Sequence, residues 1–205
     1  MPYGYLGQTP NQQVKNSGVF SVGDAKALTD VGQLGGSLEL IEEQTISSNV
    51  SSVDFINLEN NPYGVYLCHI QNLQATSTSQ IAWRFSTDNG SSFISTVAYE
   101  YASMRILSNG STNEYNNNGV AILTDTYTGT GVSSHNSYFY LYNMLDNAKY
   151  SLLTQHTTSL LGVSGNYRTT FGGGVLATAG KNNAFQILAG TMTGGSIKLF
   201  GMKEI

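Results

Sequence analysis

The side chains that could carry out nucleophilic or metal chemistry are few in this chain. They include three histidines and one cysteine: His69, His135, His156 and Cys68. These residues do not form a Cys-x-x-Cys or His-x-His pair, the short spacings that zinc sites use. No Gly-x-Ser-x-Gly string presents a serine nucleophile, and Gly172–Gly174 lacks the lysine of a phosphate loop. Neighbouring Glu42 and Glu43 point to opposite faces of a strand and cannot act as paired acid and base. We therefore predict no catalytic residue, no metal site and no cofactor.

The sharpest local motif is the string Ser86–Phe93, which matches the Asp-box pattern Ser-x-Asp-x-Gly-x-Ser/Thr-aromatic known from sialidase-type propellers. In a hairpin turn, Gly90 supplies a positive φ, the Asp88 carboxylate bonds turn amides, and Phe93 tucks under the loop. Those propellers repeat the box, whereas this chain has a single copy. We interpret Asp88, Gly90 and Phe93 as a structural hairpin turn.

The segments that must position these side chains alternate apolar and polar residues with a period of two from Ser37 onward. On one of them, Tyr138, Tyr140 and Tyr142 share a face. Short strands separated by Gly, Asn and Ser turns, with no long helix, predict an all-β fold: an antiparallel β-sandwich of the jelly-roll type. The predicted core consists of Leu40, Phe55, Tyr66, Ile81, Trp83, Phe85, Leu141, Ile187 and Leu199.

Some segments leave the secondary structure open or predict a break. Thr96–Leu107 fits a helix or a strand, and Tyr150–Leu161 fits one strand or two. Ser108–Gly119 is predicted to be a polar loop. Thr193–Gly195 is predicted to separate a strand at Phe185–Ala189 from the strand at Ile197–Phe200.

The chain divides into an extended N-terminal arm, residues 1–36, and a head domain, residues 37–205. The arm is polar and aromatic, with Pro2 and Pro10 and no sustained periodicity at its start. Residues 21–31 are compatible with a short helix, and Gly35–Gly36 resembles a hinge.

Composition narrows the function classes. Only 11% of residues are charged, against about 25% in typical domains, while the chain has 40% hydrophobic residues, 23 Gly and 13 Tyr. Nine Lys and Arg without a cluster, and a net charge of −4, argue against nucleic-acid binding. No apolar run is long enough for membrane insertion, no signal peptide is visible, and one cysteine cannot form an internal disulfide. This combination is typical of a protein made in a cytoplasm and displayed on a particle.

Several short strings resemble virion surface proteins of marine tailed phages, including cyanophage-like ones. They are Met1–Pro10, Val14–Ser21, Ser37–Gln44, Trp83–Asp88 and Ile197–Gly201. The resemblance implies a trimeric β-sandwich head on an N-terminal anchor, as in capsid decoration proteins, head fibres and short tail fibres. No catalytic residues come with it.

The partners follow from the resemblance and from apolar residues in both parts of the chain. The arm holds an apolar set predicted to anchor the protein to phage capsid or tail proteins: Tyr3, Tyr5, Leu6, Val19 and Phe20. The alternative is an arm folded back on its own head. The neutral, Tyr- and Thr-rich strands within Tyr138–Leu161 suit the interface of a homotrimer.

We therefore expect a non-enzymatic protein of the virion surface that decorates the capsid and reinforces its contacts. The alternative is a tail-fibre adhesin that binds a host receptor or host surface glycans, and a third class is a glycan-cleaving depolymerase. The compact chain has no shaft or repeat, which favours decoration.

Overall fold

A computed structural model describes residues 38–128, 130, 133–160 and 167–202. The chain divides into two units, and the described residues from Glu39 onward belong to the second. Its strands are β1 (Leu38–Ile46), β2 (Val50–Phe55), β3 (Val65–Ala75), β4 (Gln80–Ser86), β5 (Tyr99–Leu107), β6 (Thr112–Gly119), β7 (Ile122–Tyr127), β8 (His135–Tyr142), β9 (Leu152–Leu160), β10 (Tyr167–Leu176) and β11 (Ala184–Met202). A single 3-10 turn, Leu58–Asn60, lies between β2 and β3.

The strands form one sheet in the order β6-β5-β10-β9-β8-β3-β11-β4-β7, with β1 and β2 also paired to β11. The pairings with a defined register are antiparallel. The sheet curls until β7 packs across β10 and β5, which encloses the core in a nearly closed, barrel-like arrangement. The predicted all-β, antiparallel fold is confirmed, while the jelly-roll connectivity stays a prediction.

The two halves of the long strand β11 pair with different strands of the curled sheet. Its first half, Ala184–Leu188, pairs with β2 and β4, and its second half, from Ser196, pairs with β3. Register shifts separate the halves, and Gly195 there has a φ of 116°, with no room for a Cβ beside Asn72. The predicted break at Thr193–Gly195 is therefore wrong, because a bulge bends the strand without ending it.

The predicted core is buried except for Leu40, which is 52% exposed. Leu40 lies in the outermost part of β1, where alternation alone could not tell which face turns inward. The largest core side chains are packed aromatic rings. Trp83 lies 4.5 Å from Phe139 and 5.5 Å from Phe185, measured between ring centroids.

The open segments now have assignments. Residues from Tyr99 to Leu107 form strand β5, and β9 is a single strand. The predicted loop at Ser108–Gly119 is wrong, because Thr112–Gly119 pairs along its whole length with β5 as the polar edge strand β6. Neighbouring backbone outweighs the low strand propensity of an Asn-rich segment. The arm, its helix and the arm–head boundary lie outside the described residues and stay predictions.

Candidate functional site

The predicted anchoring residues Tyr3, Tyr5, Leu6, Val19 and Phe20 lie outside the described residues. The predicted turn at Asp88 is within them. Asn89 and Gly90 have φ values of 59° and 83°, and the Ser91 amide donates to the Asp88 carbonyl at 3.3 Å. β4 and β5 do not pair beyond this turn, and the Ile94 amide donates to the Phe85 carbonyl at 2.9 Å. The turn therefore reverses the chain without joining two paired strands.

The Asp88 carboxylate is bonded within its own turn. One oxygen accepts from the Ser92 amide at 2.8 Å and the Ser86 hydroxyl at 2.7 Å, and the other accepts from the Ser92 hydroxyl at 2.5 Å. The hydrogen bonds from Ser92, followed by that from Ser86, lower the pKa of Asp88 to about 2. Half-buried Phe93 lies near Gly90. Because both carboxylate oxygens are engaged locally, the geometry supports a structural role for Asp88.

The histidines and the cysteine do not converge. His135 is buried and its Nε2 lies 2.8 Å from the Ser137 hydroxyl, while the His156 ring packs edge-on against Tyr138 at 5.4 Å. Burial raises the pKa of the Cys68 thiol. Among the residues that the structure describes, His, Cys, Asp and Glu form no group that could hold a metal ion. That same part of the chain contains no helix able to span a lipid bilayer.

Three neighbouring strands bury several polar side chains, and their outward positions mix apolar residues with threonines and His156. In β9, Gln155, Thr157 and Ser159 point inward. The adjoining inward positions of β10 and β5 include Arg168, Thr170, Ser103 and Arg105. We call these parts of β5, β9 and β10 the inverted region, because most sheets bury their apolar residues instead.

The outward side of the inverted region, together with Tyr138 of the neighbouring strand β8, carries a set of exposed apolar side chains, which we call the outer face. It consists of Met104, Ile106, Tyr138, Leu160, Tyr167 and Phe171, all substantially exposed. Met104, Phe171, His156 and Tyr138 lie opposite one another in adjacent strands, so they form a continuous row across four strands. No outward residue of β8, β9 or β10 is Asp, Glu, Lys or Arg. Glu114 of β6 lies opposite Met104 at the edge of the outer face, and His156 and Thr169 point outward among its rings. The outer face is therefore rich in exposed apolar side chains but borders a charged strand.

The sheet surface at β2, β11 and β4 is different in character. Asp54, Gln186 and Arg84 lie opposite one another in these three strands. The Gln186 side-chain Nε2 donates to the Asp54 carboxylate at 2.9 Å, and Arg84 Nε donates to the Val120 carbonyl at 3.2 Å. The polar groups of this surface bond one another, whereas the outer face leaves apolar side chains exposed.

Comparison of the chain with protein-family models, with curated proteins and with solved structures finds no match. Sequence reasoning missed the outer face because alternation shows which residues share a face but not which face is inside. The scarcity of charged residues between Tyr138 and Leu161 was the sequence feature that indicated an interface there.

Proposed function

We propose that this chain is a non-enzymatic structural protein of a tailed-phage virion that decorates the capsid. The observation that carries the proposal is the outer face, a set of exposed apolar side chains on strands that bury several polar residues. Contiguous apolar patches of this kind mark sites of protein–protein contact. The resemblance of the sequence to phage virion surface proteins is the reason for proposing a phage particle as the partner.

The composition of the outer face supports a protein partner. Interface cores are depleted in charged residues and enriched in aromatic residues and Met. The outer face has this composition, because it includes Tyr138, Tyr167, Phe171 and Met104. From strand spacing and rise per residue, the face spans roughly 300 Å². Standard interfaces bury about 800 Å² on each partner. The outer face can therefore form the apolar core of an interface, with a polar rim around it.

We propose that this interface joins the copies of a homotrimer and that residues 1–36 anchor the trimer to the particle. An arm docked on the particle adds contact area beyond that of the outer face. Because a trimer carries three arms, the binding of one arm raises the effective concentration of the other two at the particle surface. Deleting residues 1–20 should leave a folded head that no longer joins virions. Normal incorporation of the truncated chain would exclude an anchoring role.

The oligomer is tested by light scattering on the Phe171→Lys variant. A lysine there places a charge in the centre of the outer face, so the trimer should dissociate to monomers while far-ultraviolet circular dichroism is unchanged. Tyr150→Lys is the matched control, because Tyr150 is 53% exposed but lies outside the outer face. A wild-type chain that is monomeric at micromolar concentration would refute the trimer.

The capsid role is tested by copy number in purified virions. Quantitative gel densitometry should give tens to hundreds of copies, in a fixed ratio to the major capsid protein. A ratio at the level of tail components would overturn capsid decoration and establish the tail-fibre adhesin instead.

A further inference from the structure

A concave surface lies at the C-terminal end of β8, beyond the part of β8 that belongs to the outer face. It has a volume of about 600 Å³ and is lined by Tyr63, Tyr142, Asp146, Asn147 and Lys149, among others. Val65 pairs with Tyr142, which brings the segment before β3 beside the end of β8. We call this depression the tyrosine pocket. Its volume falls within the range of small-molecule sites, about 300–1,000 Å³.

The Tyr63 wall of the pocket is held from several sides. The Tyr63 ring packs edge-on against Tyr66 at 6.0 Å and covers Gly201, where a Cβ would overlap the ring. The Tyr63 amide donates to the Tyr66 hydroxyl at 3.2 Å, and that hydroxyl donates to the Asn61 carbonyl at 2.8 Å. Desolvation, followed by a hydrogen bond to Glu39, raises the pKa of Tyr63. A ring fixed in this way binds a ligand without losing side-chain freedom.

The opposite wall is a loop stabilised by its own hydrogen bonds. The Ala148 amide donates to the Asp146 carboxylate at 2.8 Å, and Lys149 Nζ lies 3.2 Å from the other oxygen of that carboxylate. The Asn182 amide donates to the Met144 carbonyl at 2.6 Å, which ties the loop to the segment before β11. Within the described part of the chain, the Asn147 carboxamide makes no hydrogen bond. It therefore offers a donor and an acceptor to a ligand.

This chemistry selects one class of ligand. Tyrosine rings pack against apolar C–H surfaces, while the carboxamide, phenol and ion-paired groups exchange hydrogen bonds with hydroxyls. Asp146 and Lys149 neutralise each other, and the carboxylate of Glu39 lies beside the Tyr63 phenol, so the charges around the pocket disfavour an anion. We propose that the tyrosine pocket binds a neutral saccharide of two or three sugar units. The proposal goes beyond the structural role and does not depend on the location of the protein on the particle.

The experiment uses the isolated full-length chain with maltotriose, cellotriose, chitotriose and mannotriose as probes. Saturation-transfer NMR and calorimetric titration should detect binding of at least one probe at about millimolar affinity. Tyr142→Ala should weaken that binding about tenfold through the loss of apolar contact area. Asn147→Ala should weaken it about threefold through the loss of a hydrogen bond.

Tyr138→Ala is the matched control, because Tyr138 lies outward on the same strand but outside the tyrosine pocket. Its sugar affinity should equal that of the wild type, whatever its oligomeric state. No binding of any probe, or equal loss in all three variants, would overturn the proposal. Sialyllactose is added as an anionic probe, and its binding in the absence of binding by the four neutral probes would overturn the neutral class. Copy number in virions is measured separately, so failure here leaves the proposed capsid role standing.

Discussion

Two regions of this sheet bury opposite kinds of side chain: β2, β4 and β11, which we call the apolar end, and the inverted region, with β8 and β3 between them in the strand order. At the apolar end, the rings of Phe55, Trp83 and Phe185 stack in the interior, 5.0 to 5.5 Å apart between centroids. In the inverted region, buried positions hold residues such as Thr157 and Arg168. Burial of apolar area supplies most folding free energy, at about 25 cal/mol per Å². The apolar end therefore contributes more to stability, and the inverted region leaves more of its apolar area exposed.

The inverted region also shows how polar residues can fill an interior. The buried Thr157 hydroxyl donates to the Thr170 carbonyl at 3.4 Å. Such bonds contribute only about 1 kcal/mol each in net terms. An interior lined by hydroxyl groups contributes little to the free energy of unfolding, so the apolar end must supply most of it.

The largest expected difference between the two regions comes from removing one ring in each. Phe185→Ala should lower the free energy of unfolding by about 3–5 kcal/mol, because Phe185 is fully buried between two rings. Phe171→Ala should cost below about 1 kcal/mol, because Phe171 is 46% exposed. Urea unfolding of both variants under monomeric conditions measures the difference. Equal losses would contradict the assigned orientation of β10.

Two glycine turns, one near each region, give the next largest effect. Gly90 and Gly110 have φ values of 83° and 86°, so an alanine at either is strained by about 1–2 kcal/mol. A Cβ at Gly90 would also lie 2.7 Å from Ile56 Cγ2, whereas a Cβ at Gly110 meets nothing within 4 Å. Gly90→Ala should therefore lower the melting temperature more than Gly110→Ala does. Equal shifts in calorimetry would show that Ile56 yields without cost.

A smaller effect is expected inside the inverted region. Thr157→Val keeps the shape of a buried side chain and removes one long hydrogen bond, so the free energy of unfolding should change by about 1 kcal/mol or less. Chemical denaturation measures this change, with Val53→Thr, the reverse isosteric swap at the apolar end, as the comparison. A loss above about 3 kcal/mol would mean that the polar interior stabilises the fold as strongly as buried rings do.

The smallest effect concerns acid. The pKa of Asp88 is lowered to about 2 in the folded chain, below the ordinary value of about 3.9 in an unfolded chain. Its contribution to stability is therefore complete above about pH 4 and is lost as the pH falls through 2. Asp88→Asn should flatten the stability profile over that window, measured by thermal unfolding at each pH. An unchanged slope would show that other carboxyl groups dominate the acid response.

The fold class could be predicted because alternation and turn residues are local signals. Trp83 and Phe85 were identified as core residues because they alternate within a strand bounded by a turn. The edge strand β6 was missed because its pairing with β5 depends on tertiary contacts and not on its Asn-rich sequence. The tyrosine pocket was also missed, because Tyr63 and Tyr142 are distant in sequence and meet only through the pairing of β3 with β8. The anchoring residues of the arm remain a prediction from the sequence.

The central position of β11 has a consequence for biosynthesis. β11 pairs with β1, β2, β3 and β4, which are made first, and 97 residues separate the end of β4 at Ser86 from the start of β11 at Ala184. Until then the edges of β2 and β4 that β11 will cover remain open, and unpaired edges favour association with other nascent chains. The head domain should therefore fold after synthesis of β11 and not strand by strand. Its yield should depend on chaperones and on slow translation before Ala184.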